Sequence, residues 1–134
     1  MKKLFFLSLL LITAACQSKP VKGEVVSVAD GSYKDVSVNE LAAMLKNKDF
    51  VFINVHIPFA GDIAQTDLSI PYDEIEQNLS QFPTDKNAKV VLYCRSGRMS
   101  QIAAEKLVSL GYTNIWNLQG GMVEWEQAGL KIEK

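Results

Sequence analysis

The sequence predicts a small three-layer α/β domain, in which helices cover both faces of a central parallel sheet. Three short segments, at residues 50–55, 89–93 and 114–118, are predicted strands, and the first of them is a continuous apolar run. Such runs are typical of strands that are buried on both faces. Segments with helical periodicity separate them, and this alternation implies parallel strands joined by right-handed crossovers.

The first predicted helix covers residues 37–46. Ser37 is followed three residues later by Glu40, which is the spacing of a capping box at a helix N-terminus. The buried strand at 50–55 comes next, and a loop containing Gly and Pro follows at 58–66. Residues 71–79 are predicted to form a short helix, because Pro71 suits a first helical turn.

The second half of the domain begins with the strand at 89–93, which runs directly into residues 94–100. The helix that follows is predicted to end at Gly111, a residue that commonly terminates helices. The strand at 114–118 and a helix at 122–128, opened by Gly120 and Gly121, complete the prediction. The buried face of the middle helix is predicted to consist of Ile102, Ala103, Leu107 and Leu110.

The N-terminal residues have the pattern of an export signal. Two lysines precede an apolar run at 4–12, and small residues at 13–15 precede Cys16. The run is too short for a membrane-spanning helix, which needs about 20 residues. An ordinary cleaved signal and a buried helix of a cytosolic domain are the alternatives. The segment resembles the lipobox of bacterial lipoproteins, with Thr13 where Leu is usual.

That resemblance implies a signal peptide at 1–15, a lipidated tether at 16–23 and a folded domain at 24–134. The lipid on Cys16 would attach the chain to a membrane of the bacterial cell envelope, on the periplasmic face. Gln17 after the cysteine favours the outer membrane in a Gram-negative cell.

Composition excludes several classes of protein. The chain has 134 residues, 14 Lys+Arg, 15 Asp+Glu and one His, for a net charge of −1. This balance argues against a nucleic-acid-binding protein, which would carry a basic excess. Two cysteines are too few for a disulfide-rich scaffold or a four-thiolate zinc site. We therefore predict no metal site, and Cys94 is the one thiol left to the domain.

The segment after the second buried strand carries the predicted chemistry. Cys94 falls at the carboxyl end of that strand, where functional residues of open α/β sheets lie. The next helix points its N-terminus at the loop, and its N–H groups and dipole favour an anion such as a thiolate. The only two arginines, Arg95 and Arg98, lie here and suit oxyanions, while Gly97 lets N–H groups turn inward. A reactive thiolate in an anion-binding loop is favoured over a buried cysteine beside two solvated arginines.

Four segments, at 52–56, 90–100, 111–115 and 118–125, resemble the rhodanese-like domain family. The resemblance implies a sulfurtransferase that needs no bound cofactor. Cys94 would take a sulfane sulfur from a small anionic donor such as thiosulfate, carry it as a persulfide, and pass it to cyanide or to a thiol, including a protein thiol. The implied substrate site is the rest of the loop: Arg95, Ser96, Gly97, Arg98, Met99 and Ser100.

Loop length and one departure from the family pattern refine this interpretation. Phosphatases of the same overall fold carry Arg six positions after the cysteine, whereas Ser100 stands there in this chain. Ser100 is predicted either to cap the following helix or to form a hydrogen bond within the loop. The usual Asp-Val-Arg is Asn54-Val55-His56, and His56 is either a proton relay for Cys94 or a hydrogen-bonded scaffold residue. A non-catalytic binding module and a redox or persulfide protein that acts on a partner's thiol are the alternative functions.

Overall fold

The computed structural model describes residues 19–134. The predicted signal peptide at 1–15 and the lipidation site Cys16 lie outside the described residues, so export and lipidation stay predictions. None of the helices in the described part of the chain has the length and apolar composition that crossing a bilayer requires.

A six-stranded sheet forms the centre of the domain, and a separate two-stranded sheet lies beside it. The strands are β1 (Glu24–Val28), β2 (Gly31–Val36), β3 (Val51–Asn54), β4 (Asp62–Ile63), β5 (Leu68–Ser69), β6 (Val90–Tyr93), β7 (Ile115–Leu118) and β8 (Ile132–Glu133). The large sheet has the order β1-β2-β7-β6-β3-β5, and every pair in it is parallel except the β1–β2 hairpin. Strands β4 and β8 pair antiparallel in the small sheet.

The three predicted strands are confirmed as β3, β6 and β7, the neighbours at the middle of the large sheet. Every residue of β6 and β7 is buried, which explains why β6 is continuously apolar. The one polar residue of β7, Asn117, donates its side-chain N–H to Asp35 Oδ1 at 2.9 Å. The sequence analysis missed the β1–β2 hairpin and the two-residue strands. Strand β1 is an edge strand with mostly exposed residues, and a two-residue strand is too short to show any periodicity.

Three α-helices complete the layers: α1 (Val38–Leu45), α2 (Arg98–Ser109) and α3 (Gly121–Gln127). The predicted capping box is present, since the Glu40 N–H donates to Ser37 Oγ at 3.2 Å and the Ser37 N–H donates to Glu40 Oε1 at 3.1 Å. Helices α1 and α3 pack in the hydrophobic cluster on one face of the sheet, and α2 packs in the cluster on the other. The three-layer α/β prediction is therefore confirmed.

Two details of the helix predictions are wrong. Ile102 is 43% exposed, because at 3.6 residues per turn it lies opposite the buried stripe of α2. That stripe consists of Ser100, Ala103, Ala104, Leu107 and Val108. Residues 71–79 do not form a regular helix; turns lead into a 3₁₀ helix at Glu76–Gln81. The Tyr72 N–H donates to the Val55 carbonyl at 3.1 Å, so this stretch still pairs alongside the end of β3.

Candidate active site

Cys94 lies at the carboxyl end of β6, inside a loop that curls around its sulfur. The residue is 1% exposed. The Gly97 N–H donates to Cys94 Sγ at 3.0 Å, and Ser100 Oγ lies 3.4 Å from the same sulfur. Ser100 also donates to the Gly97 carbonyl at 3.1 Å. Of the two roles predicted for Ser100, the structure shows the hydrogen bond within the loop.

The N-terminus of α2 faces the same loop. Its N-cap is Gly97, whose backbone is left-handed with φ of 110°, and no side chain caps the helix. The N–H groups of Arg98 and Met99 form no hydrogen bond within the described residues, as is usual for a first helical turn. The Gly97 N–H and the positive end of the helix dipole therefore lie at the sulfur, an arrangement that favours a bound anion.

The first turn of α3 holds the loop from the other side. The Met122 N–H donates to the Cys94 carbonyl and the Val123 N–H donates to the Arg95 carbonyl, both at 2.9 Å. Gly121 has φ of +56°, and a Cβ there would collide with the Cys94 carbonyl oxygen and lie 2.7 Å from that of Arg95. Only glycine fits this position. The sequence analysis interpreted Gly120 and Gly121 only as the start of the last helix. The structure shows that Gly121 also packs against the loop at Cys94.

The remaining loop side chains divide into exposed and packed groups. Arg95, Ser96 and Arg98 are exposed, whereas Met99 is half-buried against the core cluster on the α2 face. Neither guanidinium takes part in a salt bridge within residues 19–134. The mouth of the loop therefore carries two positive charges that no carboxylate of the described chain offsets by direct pairing.

His56 lies near the loop but is held by the scaffold. Its backbone N–H donates to Asn54 Oδ1 at 3.0 Å, and no hydrogen bond joins it to Cys94 in the described part of the chain. Partial burial, and then the positive charge of Arg95, lower the pKa of His56 below its usual value. The imidazole is therefore neutral at neutral pH. The hydrogen bond to Asn54 comes from the backbone of His56 and not from its ring, so the choice between a scaffold residue and a proton relay stays a prediction.

A hydrogen-bond network that the sequence analysis missed surrounds Tyr93, the residue before Cys94. The Tyr93 hydroxyl accepts from the Ile63 N–H at 3.0 Å, lies 2.7 Å from Thr66 Oγ1, and donates to Asp62 Oδ1 at 3.2 Å. Burial raises the pKa of Tyr93 well above its usual value, so the hydroxyl stays protonated. The network ties β4 and the following turn to the base of the reactive loop.

Asn54 extends this network at the end of β3. Its side chain is buried and donates to the Gly61 carbonyl at 3.0 Å and to Asp62 Oδ1 at 2.9 Å. Asn54 stands where the family pattern has Asp. Its neutral amide forms hydrogen bonds with Gly61 and Asp62 and accepts one from the backbone N–H of His56. The sequence marked Asn54 only as a departure, and its partners could not be identified from the chain order.

A cleft opens beside Arg95, between α3 and the segment before β4. Its volume is about 290 Å³. It is lined by Phe59, Ala60, Gly61, Arg95, Met122, Glu126 and Lys134. Phe59 is 63% exposed, more than any other large apolar residue in the described chain. No group of residues suited to hold a metal ion occurs in residues 19–134.

Comparison with known proteins identifies the family. The sequence model of the family described as "Rhodanese-like domain" matches residues 37–128. A "Sulfurtransferase" of Allochromatium vinosum is 35% identical over 89 residues, which are 63% of this chain and 79% of that protein. The "Thiosulfate sulfurtransferase PspE" of Escherichia coli is 34% identical over 71 residues, 52% of this chain and 68% of that one.

A solved structure agrees with these matches. The crystal structure of a rhodanese-like domain protein from Staphylococcus aureus superposes with a TM-score of 0.62 at 30% identity, covering 75% of this chain and 99% of that one. Other curated relatives are longer, and the chain spans 51% of one and 26% of another. The matched region contains α1, β3, the loop around Cys94 and α3, and the chain therefore belongs to the rhodanese-like domain family.

Proposed function

We propose that this chain is a sulfurtransferase in which Cys94 carries a sulfane sulfur as a persulfide. The observation that supports this most directly is the contact between Cys94 Sγ and the Gly97 N–H at 3.0 Å, at the N-terminus of α2. In this proposal the backbone N–H would stabilise the negative charge that sulfur carries during the reaction. The named sulfurtransferases among the relatives lend independent support.

The proposed first step uses a small anionic donor such as thiosulfate. The Cys94 thiolate attacks the outer sulfur of thiosulfate and forms a new S–S bond. The S–S bond of the donor breaks, and sulfite leaves with the electron pair. Arg95 and Arg98 would attract the dianion, since both are exposed at the mouth of the loop. The N–H groups of Gly97 and of the first turn of α2 would stabilise the persulfide anion.

The proposed second step returns Cys94 to its starting form. An acceptor nucleophile, either cyanide or a thiol, attacks the outer sulfur of the persulfide, and Cys94 leaves as a thiolate. The two half-reactions are separate, so ping-pong kinetics are expected. No bound cofactor takes part in this scheme.

The test is the intact mass of the full chain carrying Cys16→Ser, so that Cys94 is the only thiol. Incubation with thiosulfate should add one sulfur atom, and cyanide should remove it. The Cys94→Ser variant serves as the control and should gain nothing. A folded, reduced chain that gains no sulfur from thiosulfate or from polysulfide would contradict the proposal. It would favour instead a binding module or a protein that acts on a partner's thiol.

We also propose that the chain is exported and attached through a lipid on Cys16 to the periplasmic face of the cell envelope. The support is the sequence pattern of residues 1–17. The mass of the protein extracted from membranes should show the loss of residues 1–15 and the gain of a lipid. A Cys16→Ala variant should be released in soluble form. A mature chain that begins elsewhere, or that carries no lipid, would contradict this proposal.

A further inference from the structure

We propose that the sulfur acceptor is a protein that presents its cysteine on a segment with apolar and acidic side chains. This segment would dock on an acceptor surface formed by Phe59, Arg95, Arg98 and Val123 around the mouth of the Cys94 loop. The inference rests on the proposed function, since it names the class of molecule that receives the sulfur. It goes beyond that function by assigning a docking role to residues outside the loop.

The first support is the position of exposed apolar side chains. Single exposed apolar residues are common on protein surfaces. Here Phe59, 63% exposed, shares a cleft with Arg95, and Val123, 38% exposed, donates its N–H to the Arg95 carbonyl. Both therefore lie beside Arg95, the residue that follows the one thiol of the described residues in sequence. An aromatic residue beside an arginine has the composition of the energetically important centre of a protein interface.

The second support is the rigid attachment of Phe59. The Gly61 carbonyl, two residues away, accepts from the buried Asn54 side chain at 3.0 Å. Asp62, the next residue, pairs with Glu133 in the small sheet and accepts from the Tyr93 hydroxyl. The exposed ring is thus carried by a segment anchored close by. A preorganised surface loses less conformational entropy on binding.

The third support is charge. Arg95 and Arg98 are exposed and form no salt bridge within residues 19–134, and His56 beside Arg95 is neutral at neutral pH. Glu126 and Lys134, also in the cleft, contribute one charge of each sign. Glu124, next to Val123 in the first turn of α3, adds one negative charge, and its carboxylate lies against Gly120. The two arginines still leave the acceptor surface with a net charge of one positive, on a chain whose net charge is −1. Acidic residues in the partner would be attracted to it, and basic ones would be repelled.

The size of the cleft favours a polypeptide over a small thiol. Its volume of about 290 Å³ is just below the range for small-molecule sites, roughly 300–1,000 Å³. A small thiol would gain little from a ring that is more than half exposed. A segment of polypeptide that brings its cysteine to Cys94 would cover Phe59 and Val123, and so remove their apolar surface from water.

Sulfur transfer to such a partner balances without an added oxidant or reductant. The partner's cysteine sulfur forms a bond to the outer sulfur of the Cys94 persulfide. The bond between Cys94 Sγ and that outer sulfur breaks, and its electron pair stays on Cys94 as a thiolate. The proton of the partner's thiol is released to solvent or remains on the new persulfide.

The test uses three acetylated peptides as acceptors: Glu-Leu-Cys-Leu-Glu, Glu-Ser-Cys-Ser-Glu and Lys-Leu-Cys-Leu-Lys. The full chain with Cys16→Ser is loaded from thiosulfate, its added sulfur is verified by mass, and transfer to each peptide and to cyanide is timed. The acidic, apolar peptide should react at least about fivefold faster than either other peptide. That factor corresponds to about 1 kcal/mol, the loss typical of removing an interface side chain that contributes to binding.

Variants locate the effect on the protein. Phe59→Ser and Val123→Ser should each lower the ratio of the acidic-apolar peptide rate to the cyanide rate by about fivefold. Val25→Ser is the matched control, because Val25 is 61% exposed on edge strand β1, outside the acceptor surface. Equal rates for the three peptides, or a Phe59→Ser effect no larger than that of Val25→Ser, would overturn the inference. Failure of the proposed function would show earlier, as a chain that takes up no sulfur.

Discussion

Replacing Gly121 by alanine tests how α3 holds the loop at Cys94. The new methyl group would collide with the Cys94 carbonyl oxygen and lie 2.7 Å from that of Arg95. These carbonyls accept from the N–H groups of Met122 and Val123, so the loop can move away only by giving up those hydrogen bonds. We expect Gly121→Ala to destabilise the fold and to slow the loading of sulfur on Cys94.

The expected loss in the free energy of unfolding is the sum of a backbone cost and the cost of the lost hydrogen bonds. A left-handed backbone costs a residue with a Cβ about 1–2 kcal/mol. Each hydrogen bond that is given up costs about 1 kcal/mol more. The free energy of unfolding should therefore fall by about 3–4 kcal/mol, a large part of the roughly 5–15 kcal/mol that is typical of a domain.

Gly129→Ala is the matched control. Gly129 also has a left-handed backbone, with φ of +81°, but a Cβ there would meet nothing within 4 Å. Only the conformational cost of about 1–2 kcal/mol applies to it. Urea denaturation followed by the fluorescence of the two tryptophans measures both variants. If Gly121→Ala and Gly129→Ala unfold with free energies within about 0.5 kcal/mol of each other, the contact with the carbonyls does not explain the glycine.

Two further predictions concern the residues around the loop. Tyr93→Phe should lower the free energy of unfolding by about 1–3 kcal/mol, because the Ile63 N–H loses its buried acceptor. Tyr72→Phe, whose hydroxyl forms no hydrogen bond within residues 19–134, should change it far less in the same urea titration; equal losses would contradict the role of the network. The His56 ring should titrate below pH 6.5 by NMR, and Arg95→Ala should raise the midpoint only in part, since burial is the larger cause. The unfolded histidine binds a proton more readily than the folded one, so stability should fall as the pH drops below about 6.5, and His56→Asn should remove that part of the pH dependence.

The central strands could be predicted because each one is a short stretch of neighbouring, mostly apolar residues. Strands β6 and β7 are buried along their whole length, and no polar residue marks an exposed face at 90–93. The structure of the loop at Cys94 is equally local. Cys94, Gly97 and Ser100 lie within seven consecutive residues, and the hydrogen bonds among them join residues three and six positions apart. Short-range patterns of this kind are visible without the fold.

Other features depend on which side of an element meets the core. The sequence analysis predicts Ile102 on the buried face of α2. Which face is buried depends on how the helix packs on the sheet, and the core residues there include Ala103 and Leu107. Residues 71–79 have helical composition, but the Tyr72 N–H donates to the Val55 carbonyl next to β3, which holds this backbone in a non-helical path. In both cases tertiary contacts outweigh local preference, which is a weak determinant.

By itself, the sequence determined the fold class, the positions of the three buried strands along the chain, and the cysteine that follows the second of them. The tertiary structure decided what surrounds the loop at that cysteine. Gly121 contacts Cys94 across 27 positions, and the hydroxyl of Tyr93 binds Ile63 across 30. Phe59 reaches the cleft beside Arg95 only because Asn54 and Tyr93 anchor the segment that carries it. Contacts between distant residues leave no periodic trace in a sequence, since each partner is compatible with many local contexts until the sheet brings the two together.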